Sequence, residues 1–381
     1  MAFGHFEEQF PWVDRCRKCP NSKPVPDPKC PIPSPALKDG VNENIEKEFS
    51  ALICVLYLRE RKNPVTETIL DLIKRRGIVL GDGGYLIELE RRGYVDSGSE
   101  REKVGTGRGS GQYTPEVSIE HPEALRELHR EFLKAGSQVL QALTFFGTRE
   151  KLTRSGYGEQ TEIINQAAVK IAREVAEGRA LVAGSVSRTQ LFERQGPSAA
   201  HLVRDLLTEQ IRLLQRAGVD FLLLETFFRL DEMLIALECA RSGSLPLIAT
   251  MSFRPRITES GDGHSPAECA RAMMDAGAQI VGANCEQEPK RMLPILREMR
   301  HAVDIPIAAQ PAAFRTTDET PCFTRMPQFP DQLETIQISR REFYDFARTA
   351  KAEGIGYLGG CCGCNAAYVR ALARGLAAAN T

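Results

Sequence analysis

The chain has 381 residues, 42% of them apolar, which suffices for one large domain with an appendage or for two domains. Its formal net charge of −1 excludes electrostatic attraction to nucleic acid or to an anionic membrane. Residues 1–8 lack the basic and apolar regions of a secretory signal, and the longest apolar run, residues 51–58, is too short to span a bilayer. We therefore expect a cytoplasmic protein with reduced thiols, in which clustered cysteines indicate metal binding or catalysis.

The first 63 residues differ in composition from the rest, because they are rich in proline and carry the closely spaced Cys16, Cys19 and Cys30. This composition is typical of irregular structure. We predict an N-terminal extension over residues 1–63, flexible or partly helical, followed by the main domain over residues 64–381. Cys16 and Cys19 have the spacing of a zinc knuckle, but the lack of a clear fourth ligand favours an extension without metal.

From residue 66 onward, short apolar runs alternate with amphipathic stretches. The predicted strands are residues 78–80, 138–145, 180–185, 221–225, 247–251, 279–284, 307–310 and 356–359. The predicted helices are residues 122–134, 160–176, 199–217, 231–240, 266–275, 289–300 and 340–352. Gly136, Gly218 and Gly277 follow helices and are expected C-caps.

Alternating strands and helices imply a parallel sheet, and eight such units over about 300 residues match a (β/α)₈ TIM barrel in the α/β class. The alternative is a doubly wound open sheet. No Gly-x-Gly-x-x-Gly follows a predicted strand, which counts against a dinucleotide-binding fold.

In a (β/α)₈ barrel, functional side chains follow the carboxyl ends of the strands. Three cysteines occur at such positions: Cys285 after the sixth strand, and Cys361 and Cys362 after the eighth. The last two are flanked by glycines, which let the backbone bend around an ion. Three thiolates at strand ends predict a catalytic Zn²⁺ site whose fourth position is open to a substrate. We expect the neighbouring Cys364 to be structural or a spare thiol, and not a ligand.

The chain resembles the homocysteine S-methyltransferase family over about residues 66–378, and within it the betaine-dependent branch. The resemblance is carried by Gly81-Asp82-Gly83-Gly84, Arg92-Gly93-Tyr94, Glu120-His121-Pro122-Glu123-Ala124, Leu128-His129-Arg130-Glu131-Phe132, Gly136-Ser137, Gly218-Val219-Asp220-Phe221-Leu222, Gly282-Ala283-Asn284-Cys285 and Gly359-Gly360-Cys361-Cys362-Gly363. It implies a zinc enzyme, with residues 64–381 as a homocysteine-binding barrel that methylates the homocysteine thiol using betaine or a related onium donor.

The resemblance, together with the chemistry and position of the residues, implies roles for individual side chains. Asp82 and Glu225 would bind the amino group of homocysteine, and Gly83 would let the substrate approach the backbone. Asn284, just before a ligand cysteine, would orient the substrate or steady its loop. Tyr113 and Phe146 would hold the onium donor through cation–π attraction.

The chain departs from the betaine branch in three ways. Tyr113 stands where that branch has tryptophan, and Thr226 stands where it has tyrosine. The chain also ends at Thr381, without the long C-terminal arm through which the family forms oligomers, so a homo-oligomer stays open. Two alternatives therefore remain: S-methylmethionine as the methyl donor, or a zinc-binding barrel without catalysis.

Overall fold

The computed structural model of the chain describes residues 67–95, 115–254 and 256–378. The predicted extension over residues 1–63, its boundary with the main domain and the candidate donor-binding residue Tyr113 lie outside the described residues.

Eight parallel strands form one sheet, in the order β1-β8-β7-β6-β5-β4-β3-β2. They are β1 (Val79–Leu80), β2 (Val139–Ala142), β3 (Leu181–Ser187), β4 (Phe221–Phe227), β5 (Leu247–Met251), β6 (Ile280–Asn284), β7 (Ile307–Gln310) and β8 (Tyr357–Leu358). Between β1 and β2 the backbone N–H of Gln138 donates to the Leu80 carbonyl at 2.7 Å, and the Gln138 side chain accepts from the Leu80 N–H at 2.9 Å. The sheet is thus a nearly closed barrel, which confirms the predicted (β/α)₈ fold and rules out the open sheet.

Helices separate successive strands. They are α1 (Ile69–Arg76), α2 (Leu86–Arg91), α3 (Val117–Glu120), α4 (Pro122–Ala135), α5 (Arg149–Arg154), α6 (Thr161–Ala176), α7 (Leu191–Gln195), α8 (Ala200–Ala217), α9 (Leu230–Ala240), α10 (Pro266–Asp275), α11 (Pro289–Ala302), α12 (Arg340–Ala352) and α13 (Ala366–Ala377). Ser265 and Ser339 begin α10 and α12 with capping boxes. Gly136 and Gly218 end α4 and α8 in the left-handed conformation, as predicted.

The alternation of side chains along β4 divides the core into two layers. Phe221 and Leu223 pack inside the barrel, whereas Leu222 and Leu224 pack between the sheet and the helices. Because side chains on a strand alternate between faces, Glu225 continues the inward series. The regular pattern that builds the core therefore directs this carboxylate into the barrel.

The second strand is shorter than predicted. It ends at Ala142, because the Thr144 N–H turns back to the Ala142 carbonyl at 2.7 Å and the Gly147 N–H donates to the Thr144 carbonyl at 2.8 Å. Phe145 and Phe146 consequently lie in a tight turn after the strand.

Candidate metal and amino-acid site

The three predicted cysteines come together at the carboxyl ends of β6 and β8. The sulfur atoms of Cys285, Cys361 and Cys362 all lie within 4.8 Å of one another, and those of Cys285 and Cys362 are 3.5 Å apart. Zn–S bonds of about 2.3 Å in tetrahedral geometry place sulfurs about 3.8 Å apart. The cluster therefore fits a metal ion of this kind, with three protein ligands.

Cys285 occupies an unusual backbone conformation. Cys285 and Glu286 have positive φ angles of 60° and 57°, which side chains with a Cβ adopt only at a cost. The Cys285 N–H donates to the Gln310 carbonyl at 2.9 Å, and the Glu286 carboxylate accepts from Arg254 at 3.2 Å and from the Thr324 hydroxyl at 2.8 Å. These bonds on either side of the turn hold the Cys285 sulfur toward the other two.

The loop that carries Cys361 and Cys362 packs directly on the glycine turn after β1. The Gly84 N–H donates to the Cys364 carbonyl at 2.9 Å, and the Gly360 N–H donates to the Asp82 carbonyl at 2.8 Å. A Cβ on Gly83 would lie 2.0 Å from the Cys364 carbonyl oxygen, and one on Gly84 would lie 2.5 Å from that of Cys361. Both glycines are thus required for the contact between the two loops. Whether Gly83 also faces a substrate stays a prediction.

Cys364 itself lies outside the sulfur cluster. Its thiol is fully buried and donates to the Pro311 carbonyl at 3.5 Å. This is a structural contact, as expected from the sequence.

Asp82 is fully buried beside this loop. Its Oδ2 atom accepts hydrogen bonds from the Tyr85 hydroxyl and, at 2.7 Å, from the Gln141 N–H, while Oδ1 has no partner among the described residues. Burial raises the pKa of Asp82 to about 7, although the hydrogen bonds to Tyr85 and Gln141 lower it. A buried carboxylate oxygen without a partner is costly, so this atom is suited to a cationic ligand.

Glu225 is the second buried carboxylate at this end of the barrel. It accepts from the Ser185 hydroxyl at 2.5 Å and from the Asn284 side-chain amide at 3.4 Å. Burial raises its pKa to about 8, and the nearby Asp82 charge adds to this effect. No lysine, arginine or histidine forms an ion pair with Glu225 or Asp82 within the described residues. A positively charged group on a ligand would therefore stabilise the ionised forms of both carboxylates.

Asn284 connects Glu225 to the sulfur cluster. Its Oδ1 atom accepts from the Thr226 N–H at 2.9 Å and the Thr250 hydroxyl at 2.8 Å, and its amide donates to the Thr226 hydroxyl at 2.6 Å. Thr226 has a φ of 60°, a strained angle that these bonds stabilise. Asn284 thus holds the turn after Glu225 while its neighbour Cys285 supplies a sulfur. A direct contact between Asn284 and the substrate stays a prediction.

Phe146, a candidate for donor binding, is buried beside Lys151. The Lys151 Nζ atom lies 4.1 Å from the ring centroid and donates to the Ser187 hydroxyl at 3.1 Å and to the Arg188 carbonyl. Burial lowers the pKa of Lys151, which weakens any cation–π contact with this ring. The role of Phe146 in donor binding stays a prediction.

The hydrogen-bond partners of the two carboxylates were not among the predicted site residues. Tyr85 and His129 lie behind Asp82, and Ser185 lies beside Glu225. Two signals were available. His129 shares the buried face of α4 with Leu125 and Phe132, and Ser185 alternates in phase with the inward-facing Ala183 on β3.

No helix within the described ranges combines the length and apolar character needed to cross a bilayer.

Comparison with known proteins agrees with this geometry. The family profile described as homocysteine S-methyltransferase matches residues 79–376. Betaine–homocysteine S-methyltransferase 1 from Bos taurus is 37% identical over 329 residues, which is 82% of this chain and 75% of that protein. S-methylmethionine–homocysteine S-methyltransferase BHMT2 from Pongo abelii is 35% identical over 321 residues, which is 81% of each chain.

Among solved structures, the metallated homocysteine methyltransferase MmuM from Escherichia coli shares the fold. It has a TM-score of 0.61 at 20% identity, covering 79% of this chain and 97% of MmuM. The profile match spans most of the barrel, and the relatives exceed one third identity over most of the chain. The protein therefore belongs to the homocysteine S-methyltransferase family.

Proposed function

We propose that the protein transfers a methyl group from glycine betaine, or a related onium compound, to the thiol of L-homocysteine, giving methionine and dimethylglycine. One observation supports this proposal most directly. The cluster of three sulfurs and the two buried carboxylates, which have no countercharge among the described residues, lie at the same end of one barrel. A ligand with both a thiol and an ammonium group satisfies both parts of this site, and homocysteine is such a ligand.

Zn²⁺ is the metal that suits these ligands, since three thiolates with an open fourth position are typical of catalytic zinc. Cys285, Cys361 and Cys362 would hold it. When bound, zinc supplies the Lewis acidity that keeps a ligated thiol deprotonated at neutral pH.

The two carboxylates orient the amino acid. Without a ligand, burial raises the pKa of Asp82 to about 7 and that of Glu225 to about 8, so both are partly protonated at neutral pH. A bound ammonium group favours their charged forms. Each carboxylate then fixes the amino group, and with it the direction in which the thiolate faces the donor. We propose that Asn284 keeps Glu225 in place for this purpose.

The transfer is an in-line displacement. The homocysteine sulfur forms a bond to the methyl carbon as the carbon–nitrogen bond of betaine breaks, and the electron pair of that bond stays on dimethylglycine. No protein residue is required as a general base, because a metal held by the three cysteines would supply the acidity that keeps the substrate thiol deprotonated. The aromatic side chains proposed for the donor are Tyr113 and Phe146.

S-methylmethionine remains the second candidate donor. The two donors occur in the names of relatives of 37% and 35% identity, so overall similarity does not separate them. Two positions depart from the betaine branch, Thr226 and Tyr113, and these departures keep a sulfonium compound open as the donor. Purified zinc-loaded protein should be assayed with homocysteine and each donor in parallel. Turnover with betaine supports the first proposal, and turnover with S-methylmethionine alone would replace it with the second.

A zinc-binding barrel without catalysis is the third candidate. Calorimetric titration of the zinc-loaded protein with homocysteine separates it from the other two, because metal storage needs no amino-acid site. We expect binding in the wild type and loss of both zinc and activity in Cys361→Ala. Full activity in that variant would refute the proposed role of the metal.

We also propose that the partners of the protein are small molecules, and that it works in the cytoplasm, where thiols stay reduced. Size measurement in solution would establish whether it forms a homo-oligomer.

A further inference from the structure

A series of hydrogen bonds connects Asp82 to Tyr85 and then to His129. The Tyr85 hydroxyl donates to Asp82 Oδ2, and the same hydroxyl oxygen lies 3.0 Å from His129 Nδ1. Asp82 and His129 are fully buried, and Tyr85 is 7% exposed. Tyr85 precedes α2 and His129 lies on α4, so the chain joins two helices to the turn after β1.

The direction of this chain follows from counting protons. A tyrosine hydroxyl has one proton, and when Asp82 is ionised, as it is beside a bound ammonium group, this proton is donated to its carboxylate. The Tyr85 oxygen must then accept from His129, which places the imidazole proton on Nδ1. The ring is neutral, because burial lowers the pKa of His129 to about 3. Its Nε2 atom has no partner within the described residues.

Packing holds the tyrosine in this orientation. Its ring makes edge contacts with His129 and Phe132, at centroid distances of 5.1 and 5.2 Å. Phe132 also borders the glycine turn, since a Cβ on Gly83 would lie 2.8 Å from its ring. The hydroxyl therefore has little freedom to leave Asp82.

The Tyr85 hydroxyl and the Gln141 N–H both donate to Oδ2, and no described group donates to Oδ1. Oδ2 is thereby fixed within the protein, and Oδ1 is the oxygen left for a ligand. The two donors also favour a carboxylate over a neutral acid at this position.

We propose that Tyr85 and His129 are positioning residues for the amino-acid substrate, which hold Asp82 as a carboxylate whose Oδ1 accepts from the substrate ammonium group. This inference rests on the proposed function, because it assumes that homocysteine is bound. It assigns to the two residues a task that is separate from the sulfur cluster and from the methyl donor.

The test compares two ligands that differ only in the ammonium group. Homocysteine and 4-sulfanylbutanoate, which lacks the amino group, are titrated calorimetrically into zinc-loaded wild type, Tyr85→Phe and Tyr368→Phe. Tyr368 is the matched control, because its buried hydroxyl donates to the Ile338 carbonyl. We expect Tyr85→Phe to weaken homocysteine binding about tenfold to a hundredfold, the range for a hydrogen bond to a charged group, and to change the affinity for the analogue less than about twofold. Tyr368→Phe should bind both ligands like the wild type.

The kinetic counterpart is a rise in the KM for homocysteine in Tyr85→Phe, with kcat at saturation and the KM for the donor unchanged. His129→Asn, which keeps an N–H near the place of Nδ1, should retain most of the homocysteine affinity, whereas His129→Leu should lose it.

If Tyr85→Phe weakened the binding of both ligands equally, or weakened neither, the inference would be overturned. Failure of the wild type to bind homocysteine at all would instead overturn the proposed function, and this inference with it.

A measurement on the unaltered protein guards against variants that fold poorly. Nitrogen-15 NMR of histidine-labelled, zinc-loaded protein reports which ring nitrogen carries the proton, and the His129→Asn spectrum assigns the signal. A neutral ring protonated at Nδ1 supports the chain, and protonation at Nε2 alone would contradict it.

Discussion

The sulfur atoms of Cys285 and Cys362, 77 residues apart in the sequence, lie 3.5 Å from each other. The barrel achieves this by ending β6 and β8 at the same edge, with β7 between them. The relationship depends on the turn at Cys285 and on the glycines around Cys361 and Cys362, so each of these can be tested separately.

The first prediction concerns the metal ligands. Cys362→Ser should reduce bound zinc from about one ion per chain to less than about a tenth, because serine is a poor replacement for a thiolate ligand. Cys364→Ser is the matched control, since it keeps a donor to the Pro311 carbonyl and lies outside the cluster. Zinc is measured by elemental analysis after dialysis. Equal retention of zinc by both variants would refute the assignment of Cys362.

The second prediction concerns the glycine turn. Gly84→Ala places a Cβ 2.5 Å from the Cys361 carbonyl oxygen, so the sulfur loop must move. We expect a loss of about 2 kcal/mol or more in the free energy of unfolding and a weaker affinity for zinc.

Gly356→Ala is the control for this effect. Its Cβ would lie 2.8 Å from Pro306, before β8 and at the opposite end of the barrel. It should lower stability and leave zinc affinity unchanged, as measured by competition with a chelator. An equal loss of zinc affinity in both variants would show that the contact with Gly84 has no special importance.

The third prediction is a pH dependence. In the ligand-free protein the pKa of Glu225 is raised from 4.5 to about 8. Between these values the folded state keeps a proton that the unfolded state releases, so stability falls as pH rises through this window. Glu225→Gln removes this contribution and should be the more stable protein at pH 8.5, by about 5 kcal/mol at most, while being impaired in homocysteine binding.

Thermal unfolding of the reduced, metal-free proteins from pH 5 to 8.5 measures this effect. The melting temperature of the wild type should fall more steeply than that of Glu225→Gln, and the difference between the two slopes measures the contribution of Glu225. Parallel curves would show that Glu225 titrates normally.

The fourth prediction concerns Asn284. Asn284→Ala leaves the Thr226 N–H and the Thr250 hydroxyl without their acceptor in a buried place. The free energy of unfolding should fall by about 2–4 kcal/mol, and the KM for homocysteine should rise because Glu225 loses a donor. Thr250→Val, which removes one of these bonds, should cost about 1 kcal/mol and leave the KM unchanged. A rise in the KM that is equal in both variants would argue against an effect through Glu225.

Much of the fold could be predicted because it depends on local patterns. Fully buried strands read as apolar runs and capped amphipathic helices separate them, so β5, β7, α10 and α12 were predicted to the residue. The end of β2 was predicted wrongly. The apolar run continues past Ala142, and only the hydrogen bond from Thr144 back to that residue ends the strand.

The candidate site likewise has a part that the sequence predicts and a part that it does not. Strand ends and glycine spacing predicted the cysteines, since the fold places such positions together. The hydrogen bonds from Asp82 through Tyr85 to His129 join residues from different elements. Helical periodicity marks His129 as buried, but it does not show which residues His129 contacts. The sequence gives the residue types, but it does not show which side chains from different helices and strands face one another.

The most direct test of the central claim is the zinc K-edge X-ray absorption spectrum of the reduced, zinc-loaded protein, recorded with and without homocysteine. We predict three sulfur ligands at about 2.3 Å without homocysteine and four with it. Fewer than three sulfurs in the free protein, or no added sulfur in the presence of homocysteine, would contradict the proposed site.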